Sequence, residues 1–221
     1  MGMPVISKDS FQFLQQIALN NNKPWFEKNR ARYEKARAEW IAVVGKVAEG
    51  ILKIESIPEK EPAKYVHRIY RDIRFSKDKT PYKKFFSALI ERGPEDRKCP
   101  LYLQFQPGRS MIGGGIWDPS PETLKKIRQE IDYNAIGLNK VIHSKEFLKY
   151  FGKISGDKLS RPPKGYEADH PHIELLKFKQ FFIQRLFDDD LVMSKQLIPE
   201  IIKSYKVALP FFIFFDTAMG E

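Results

Sequence analysis

The apolar residues of this chain change their spacing partway along the sequence, and that change constrains the fold more than any other feature. From Trp25 they recur at helical spacing, as the buried face of an amphipathic helix does, up to a break near Glu55. Two short runs in the middle, 85–92 and 101–106, are rich in aromatic and aliphatic residues and end at Gly93-Pro94 or Pro-Gly turns, which is typical of strands. The pattern predicts helices packed around a sheet.

The same reasoning extends to the rest of the chain. Residues 111–117 and 180–187 predict strands, whereas 66–75 fits a strand or a helix equally well. Good helix starts occur at Ser120 and at 188–190, the second of which opens a C-terminal helix. We therefore expect an α+β fold: a mostly antiparallel central sheet of about five strands flanked by helices, with a long N-terminal amphipathic helix and a C-terminal helix.

Length, charge and cysteine content limit the kinds of protein this can be. The 221 residues show no break in composition, so we expect one domain over 1–221. We expect residues 1–8 to be flexible or an addition to the natural chain. The net charge of +10 favours anionic partners. A lone Cys99 excludes an internal disulfide and a cysteine-rich metal centre. Without a secretory leader or a long apolar run, a cytoplasmic protein with no membrane partner is expected.

Arginine and lysine are concentrated between Arg68 and Lys84, where only Asp72 and Asp78 can balance them. A guanidinium group presents a planar fork of donors that suits phosphate or carboxylate. The first hypothesis is therefore a site for a phosphate- or carboxylate-bearing small molecule. Its candidate ligand-binding residues are Arg68, Arg71, Asp72, Arg74, Lys77, Asp78, Lys79, Tyr82 and Lys83.

Two other hypotheses remain open for the same segment. The positive surface is compatible with a nucleic-acid-binding module, although the predicted strands lack the aromatic pattern of single-strand RNA readers. Alternatively, the arginines and the two aspartates form an ion network that is purely structural. No motif in the sequence names a reaction, a catalytic residue or an oligomeric state.

Weaker motifs provide secondary site candidates. The glycines at 113–115 precede a helix start but lack the spacing of known phosphate loops, which favours a strand bend or a close backbone approach. His170 and His172 are two positions apart rather than four, which favours capping or loop packing over a metal site. We expect neither a metal nor a cofactor. The secondary candidates are Gly114, Gly115, Trp117, Asp169 and His170.

Several blocks of residues, in order along nearly the whole chain, carry a family resemblance. They are Phe13-Leu14, Asn20–Phe26, Asn29-Arg30, Arg68–Tyr82, Gly114–Trp117, Pro163–Tyr166 and Asp169–Pro171. On these blocks the chain resembles the family known as domain of unknown function 2461, conserved hypothetical proteins of bacteria and fungi. The resemblance implies a single α+β domain and no particular activity, substrate, cofactor or catalytic residue.

Overall fold

The computed structural model describes residues 2–93 and 99–220, and within these ranges it confirms an α+β fold. The helices are α1 (Lys8–Leu19), α2 (Lys23–Lys28), α3 (Arg30–Leu52), α4 (Pro62–Tyr65), α5 (Pro121–Ile142), α6 (Lys145–Phe151), α7 (Ile173–Leu176), α8 (Asp189–Val192) and α9 (Leu197–Met219). The strands are β1 (Phe86–Ile90), β2 (Leu101–Phe105), β3 (Ser110–Ile116) and β4 (Phe181–Phe187). They form one antiparallel sheet in the order β1-β2-β3-β4.

The expected count of about five strands is slightly wrong, since the described residues contain four. The segment 66–75 is neither a helix nor a full strand. Single antiparallel bridges join Val66 to Ala88 and Tyr70 to Tyr82. The chain between the two bridges is two residues longer on the second side than on the first, so a regular ladder cannot form. The predicted turn at Gly93-Pro94 extends outside the described residues.

Polar side chains interrupt two helices that the apolar pattern predicted as continuous. The helix expected from Trp25 is divided at Asn29, whose side-chain Nδ2 donates a 2.9 Å hydrogen bond to the carbonyl of Trp25. The helix expected from 188 is divided at Ser194, whose Oγ donates to the carbonyl of Leu191. Such side chains compete with the backbone for its hydrogen bonds, which the apolar spacing does not reveal.

The chain divides into two compact units that alternate along the sequence. The first unit comprises the residues up to Ile90 together with Tyr102–Ile112 and Leu186–Lys203; the second comprises Glu91–Leu101, Gly113–Arg185 and the residues from Ser204 onward. The expectation of a single domain remains a prediction. Of the helices described in either unit, none combines the length and apolar character needed to cross a bilayer.

The core of the first unit is a cluster of aromatic rings on one face of β1 and β2. The ring of Phe105 lies 5.9 Å from that of Phe11 in α1 and 6.0 Å from that of Trp40 in α3. Phe86 of β1 completes the cluster at 6.3 Å. Since side chains alternate along a strand, the polar residues between these core positions point to the opposite face. They are Ser87, Tyr102 and Gln104.

The core of the second unit encloses an ion pair. Arg92 Nη1 lies 2.8 Å from Asp216 Oδ2, with side chains only 1% and 6% exposed. Arg92 Nε donates to the Tyr205 hydroxyl at 2.9 Å, and the Cys99 amide donates to Asp216 Oδ1 at 2.7 Å. Burial raises the pKa of the Cys99 thiol well above its usual value, so this cysteine is not an activated nucleophile.

We expect Asp216→Asn to lower the free energy of unfolding by about 3–5 kcal/mol, because it removes the buried carboxylate charge that lies 2.8 Å from the buried Arg92 guanidinium. Chemical denaturation measures this loss. The matched control is Glu167→Gln, which removes an exposed carboxylate of the same unit and should leave stability within about 0.5 kcal/mol. Equal stability of the two variants would contradict the assigned role of the pair.

Candidate functional site

Residues 66–88 form a two-stranded ribbon, which we call the basic hairpin. Its stem pairs 66–71 with 81–88 through backbone hydrogen bonds. His67 N donates to the Ser87 carbonyl at 2.9 Å, and Lys83 N donates to the Ile69 carbonyl at 2.7 Å. The remaining residues, 72–80, form its tip loop. The segment with the highest density of cations is therefore folded back on itself rather than extended.

Arg71 braces the tip loop from inside. Its Nη1 donates to Asp78 Oδ2 at 2.7 Å, to the Thr80 carbonyl at 3.0 Å and to the Thr80 hydroxyl. Its Nη2 reaches the Ser76 hydroxyl at 3.3 Å. Hydrogen bonds from the Thr80 amide and hydroxyl, together with the Arg71 charge, lower the pKa of Asp78 to about 2. Asp78, one of the two acids of the segment, is thus already paired within the loop.

The second acid is paired as well. Asp72 Oδ2 lies 2.6 Å from Arg74 Nη2, and this bond lowers the pKa of Asp72. Both side chains are at least half exposed. Lys79 Nζ donates to the carbonyls of Ile73 and Arg74, at 2.9 and 3.4 Å, and so closes the loop without meeting a carboxylate. The Arg–Asp pairs of the tip loop therefore match the structural hypothesis for this half of the segment.

Tyr82 anchors the stem to helix α2. Its ring stacks on that of Phe26 with a centroid distance of 4.1 Å, and the residue is only 3% exposed. The Asn21 side chain also binds the backbone of Tyr82, as a neighbouring strand would. Tyr82 N donates to Asn21 Oδ1 at 3.0 Å, and Asn21 Nδ2 donates to the Tyr82 carbonyl at 2.8 Å. Tyr82 is thus placed as a packing residue, away from the ligand-orienting role considered from the sequence.

The stem brings Arg68 and Lys83 together, with His67 beside them. Neither cation forms an ion pair with an acid in the described residues. Partial burial lowers the pKa of Lys83, and the Arg68 charge lowers it further. The pKa of His67 is also lowered, first by partial burial and then by the Lys83 charge. The charges of Arg68 and Lys83 therefore disfavour one another, and the acid that the Arg68 charge also acts on, Asp72, is already paired with Arg74.

His67 contacts a hydroxyl group of the opposite side of the stem. Its Nδ1 lies 3.0 Å from the Ser87 hydroxyl oxygen. A neutral imidazole keeps a lone pair on one ring nitrogen, whereas in the protonated ring both nitrogens donate. Nearby, the Tyr102 hydroxyl donates to Gln104 Oε1 at 3.0 Å, and burial raises the pKa of Tyr102.

The structure separates the nine primary candidates into two groups. Arg68 and Lys83 form one cluster, whereas the acids, Arg71, Arg74, Lys79 and Tyr82 hold the hairpin in shape. Lys77 is exposed and has no partner in the part of the chain that is described. Sequence reasoning missed three neighbours of the cluster, namely His67, Ser87 and Tyr102. The one available signal was the alternation of apolar and polar residues in 101–106, which could have placed Tyr102 and Gln104 on a shared face.

Two of the secondary candidates are glycines inside β3, where neighbouring atoms approach closely. A Cβ on Gly114 would lie 2.6 Å from Cζ of Phe212 and 2.7 Å from the Pro100 carbonyl oxygen. Gly115 has a φ of +128°, and a side chain there would collide with the Phe181 carbonyl. These contacts match the close backbone approach that the sequence favoured over a phosphate loop.

The remaining secondary candidates also occupy structural positions. Trp117 is 65% exposed, with its ring 4.7 Å from that of Phe182. His170 Nε2 donates to Asp132 Oδ1 at 2.9 Å, while its Nδ1 accepts from the His172 amide at 3.1 Å. Since both nitrogens of His170 are engaged, the ring offers no free lone pair to a metal or a proton.

Asp169, beside His170, is exposed to solvent. Across residues 2–93 and 99–220, no three His, Cys, Asp or Glu side chains converge as metal ligands would. The basic hairpin thus carries the only group of predicted residues that the described structure assembles without an internal partner, and that group is Arg68 and Lys83.

The chain is thus an α+β protein whose basic hairpin is held in shape by internal hydrogen bonds and ion pairs. The sequence pattern of the family described as Conserved hypothetical protein (DUF2461) matches residues 9–214, and the chain belongs to this family. The resemblance carried by the ordered blocks is therefore confirmed. A search of curated proteins and one of solved structures found no match. What the site does must be argued from its geometry.

Arg71→Ala should lower the free energy of unfolding by about 1–2 kcal/mol, because the half-buried guanidinium donates to two Thr80 oxygens and to Ser76. Hydrogen exchange should rise in the tip loop. Arg74→Ala is the matched control, since its exposed pair with Asp72 contributes little to stability. If both variants have the same stability and exchange as the parent, Arg71 is not a brace.

We expect His67 to titrate below its usual pKa of 6.5, as an NMR titration of its ring protons would show. The unfolded chain then takes up this proton more readily than the native one, so His67 makes stability fall as pH drops through 6.5 and leaves it unaffected above. Lys83→Met should raise the pKa of His67 by removing the neighbouring charge. An unchanged His67 pKa in that variant would refute the interaction.

Proposed function

We propose that the protein binds a phosphate- or carboxylate-bearing small molecule at the cluster formed by His67, Arg68 and Lys83. The observation that carries this proposal is that the Arg68 and Lys83 charges act on one another across the hairpin stem, while neither forms an ion pair with a described carboxylate. The acid that the Arg68 charge also acts on, Asp72, is paired with Arg74. An anion placed there would remove their mutual repulsion and supply the missing counter-charge. A fork of donors from Arg68 and a point charge from Lys83 suit such an oxyanion.

The surroundings of the cluster support binding rather than a purely structural role. The two acids that could have neutralised it, Asp72 and Asp78, are held in the tip loop by Arg74 and Arg71. Each of those pairs is balanced, so the surplus positive charge lies on Arg68 and Lys83 in the stem and on Lys77 and Lys79 in the tip loop. A structural ion network would instead bring each cation to an acid, as it does for Arg71 and Arg74.

His67 adds a pH-dependent element to the proposed site. The neutral ring carries no charge, whereas protonation makes both ring nitrogens donors and adds a third positive charge to the cluster. A bound anion therefore favours the protonated ring and raises the pKa of His67. The Ser87 hydroxyl oxygen, 3.0 Å from Nδ1, can accept a hydrogen bond from the protonated ring and so hold its orientation.

The proposal predicts that inorganic phosphate, pyrophosphate or a sugar phosphate at about 10 mM raises the melting temperature, since binding to the native state alone increases its apparent stability. Arg68→Ala and Lys83→Met should abolish the rise. Lys83→Met removes a repelling charge and should not destabilise the unbound protein. The same titration followed by NMR should show the pKa of His67 rising with ligand.

The matched control is Lys125→Met, which removes an exposed lysine of α5 and should leave the ligand effect intact. A rise in melting temperature of the same size in Arg68→Ala and Lys83→Met would place anion binding elsewhere. No rise with any of these ligands, together with an unmoved His67 pKa, would overturn the proposed function.

A further inference from the structure

The tip loop of the basic hairpin displays an aromatic ring to solvent. Phe75 is 96% exposed, more than any other large apolar residue in the described part of the chain. Ile73 is half-buried, and the other residues of the tip loop, 72–80, are polar or charged. An apolar side chain that is exposed in a polar loop contributes little to the packing of the unit that carries it.

Hydrogen bonds within the loop hold the backbone that exposes Phe75. Arg71 ties Ser76, Asp78 and Thr80 together on one side of it, and Lys79 caps the carbonyls of Ile73 and Arg74 on the other. The backbone that carries the ring is thus fixed before any partner arrives. Such pre-organisation reduces the entropy lost on binding.

The charges around the ring specify the chemistry of a partner. The Arg74 guanidinium lies 5.9 Å from the Phe75 ring centroid and already pairs with Asp72. Lys77 has no partner among the described residues, and Lys79 meets only carbonyl oxygens. The loop therefore surrounds one exposed ring with positive charge that its own acids do not balance, and the surplus continues down the stem. The stem cations are Arg68, Lys83 and Lys84.

We propose that the basic hairpin binds single-stranded nucleic acid, with one base stacked on Phe75 and the phosphates beside it contacting Lys77, Lys79 and the stem cluster. An exposed aromatic ring flanked by cations is the combination that holds single strands without reading their sequence. The stem contact rests on the proposed anion site, since a backbone phosphate would occupy it. The stacking contact at Phe75 does not depend on that site.

An anionic membrane would also be attracted by this charge, but the apolar content of the loop argues against it. Insertion into a bilayer interface draws on a buried apolar face, whereas this loop offers one ring and places charged residues on both sides of it. A duplex is disfavoured for a different reason: its bases are already stacked and do not present a face to a protruding phenyl ring. The flat partner that fits Phe75 is an unpaired base.

Fluorescence anisotropy with a labelled oligothymidylate of about 12 nucleotides tests the proposal. We expect Phe75→Ala to weaken binding by roughly tenfold and Phe75→Trp to retain it, with quenching of the new indole by the stacked base. Lys77→Met and Arg68→Ala should each weaken binding and reduce its salt dependence. Ile136→Ala, which removes another exposed apolar residue, at 82% exposure, is the control and should leave affinity unchanged.

Each outcome decides between the two proposals. Failure of the oligonucleotide to bind, while phosphate still raises the melting temperature, overturns the nucleic-acid inference alone. Binding that is unaffected by Phe75→Ala overturns the stacking contact and leaves only a charged surface. The protein could instead bind vesicles of phosphatidylserine and phosphatidylcholine in a Phe75-dependent way and fail to bind the oligonucleotide. That result would overturn the nucleic-acid inference in favour of a membrane. Phe75-dependent oligonucleotide binding without any phosphate effect supports the inference and removes the small-molecule site.

Discussion

The antiparallel pairing of 66–71 with 81–88 is the constraint on which the candidate site depends. It brings residues that are far apart in sequence, such as Arg68 and Lys83, to the same place on the ribbon. Tyr82 secures this pairing through its stack on Phe26 and its two hydrogen bonds with Asn21. The irregular register prevents a full fifth strand, although the stem is joined to β1 through Val66 and His67.

Within the hairpin, the same residue types serve two different purposes. In the tip loop each arginine meets an aspartate, and the resulting pairs shape the backbone. In the stem Arg68 and Lys83 form no ion pair with a described acid, and there the pKa values of Lys83 and His67 are lowered. Because paired charge helps to hold a fold and unpaired charge attracts an anion, the structural hypothesis suits the tip-loop pairs, and the proposed anion site is confined to the stem.

The charged pair of the second unit is buried, in contrast to the charged residues of the basic hairpin. Arg92 and Asp216 are almost fully enclosed, and they hydrogen-bond to the Tyr205 hydroxyl and to the Cys99 amide respectively. Charges that are paired and buried in this way are not presented to a partner. The contrast explains why a high density of charged residues in the sequence does not itself locate a binding site, since burial and pairing decide what remains available.

The sequence by itself determined the α+β class, the positions of most helices and strands, the family and the segment in which unbalanced charge lies, because periodicity and local composition carry that information. It did not determine which cations are free. Whether Arg71 meets Asp78, whether Arg68 faces Lys83 and whether Phe75 points to solvent depend on how the chain folds back at 72–80. Only the tertiary structure decided these points. The partners and the burial of a side chain depend on residues that are distant in the sequence, and local sequence patterns do not identify those residues.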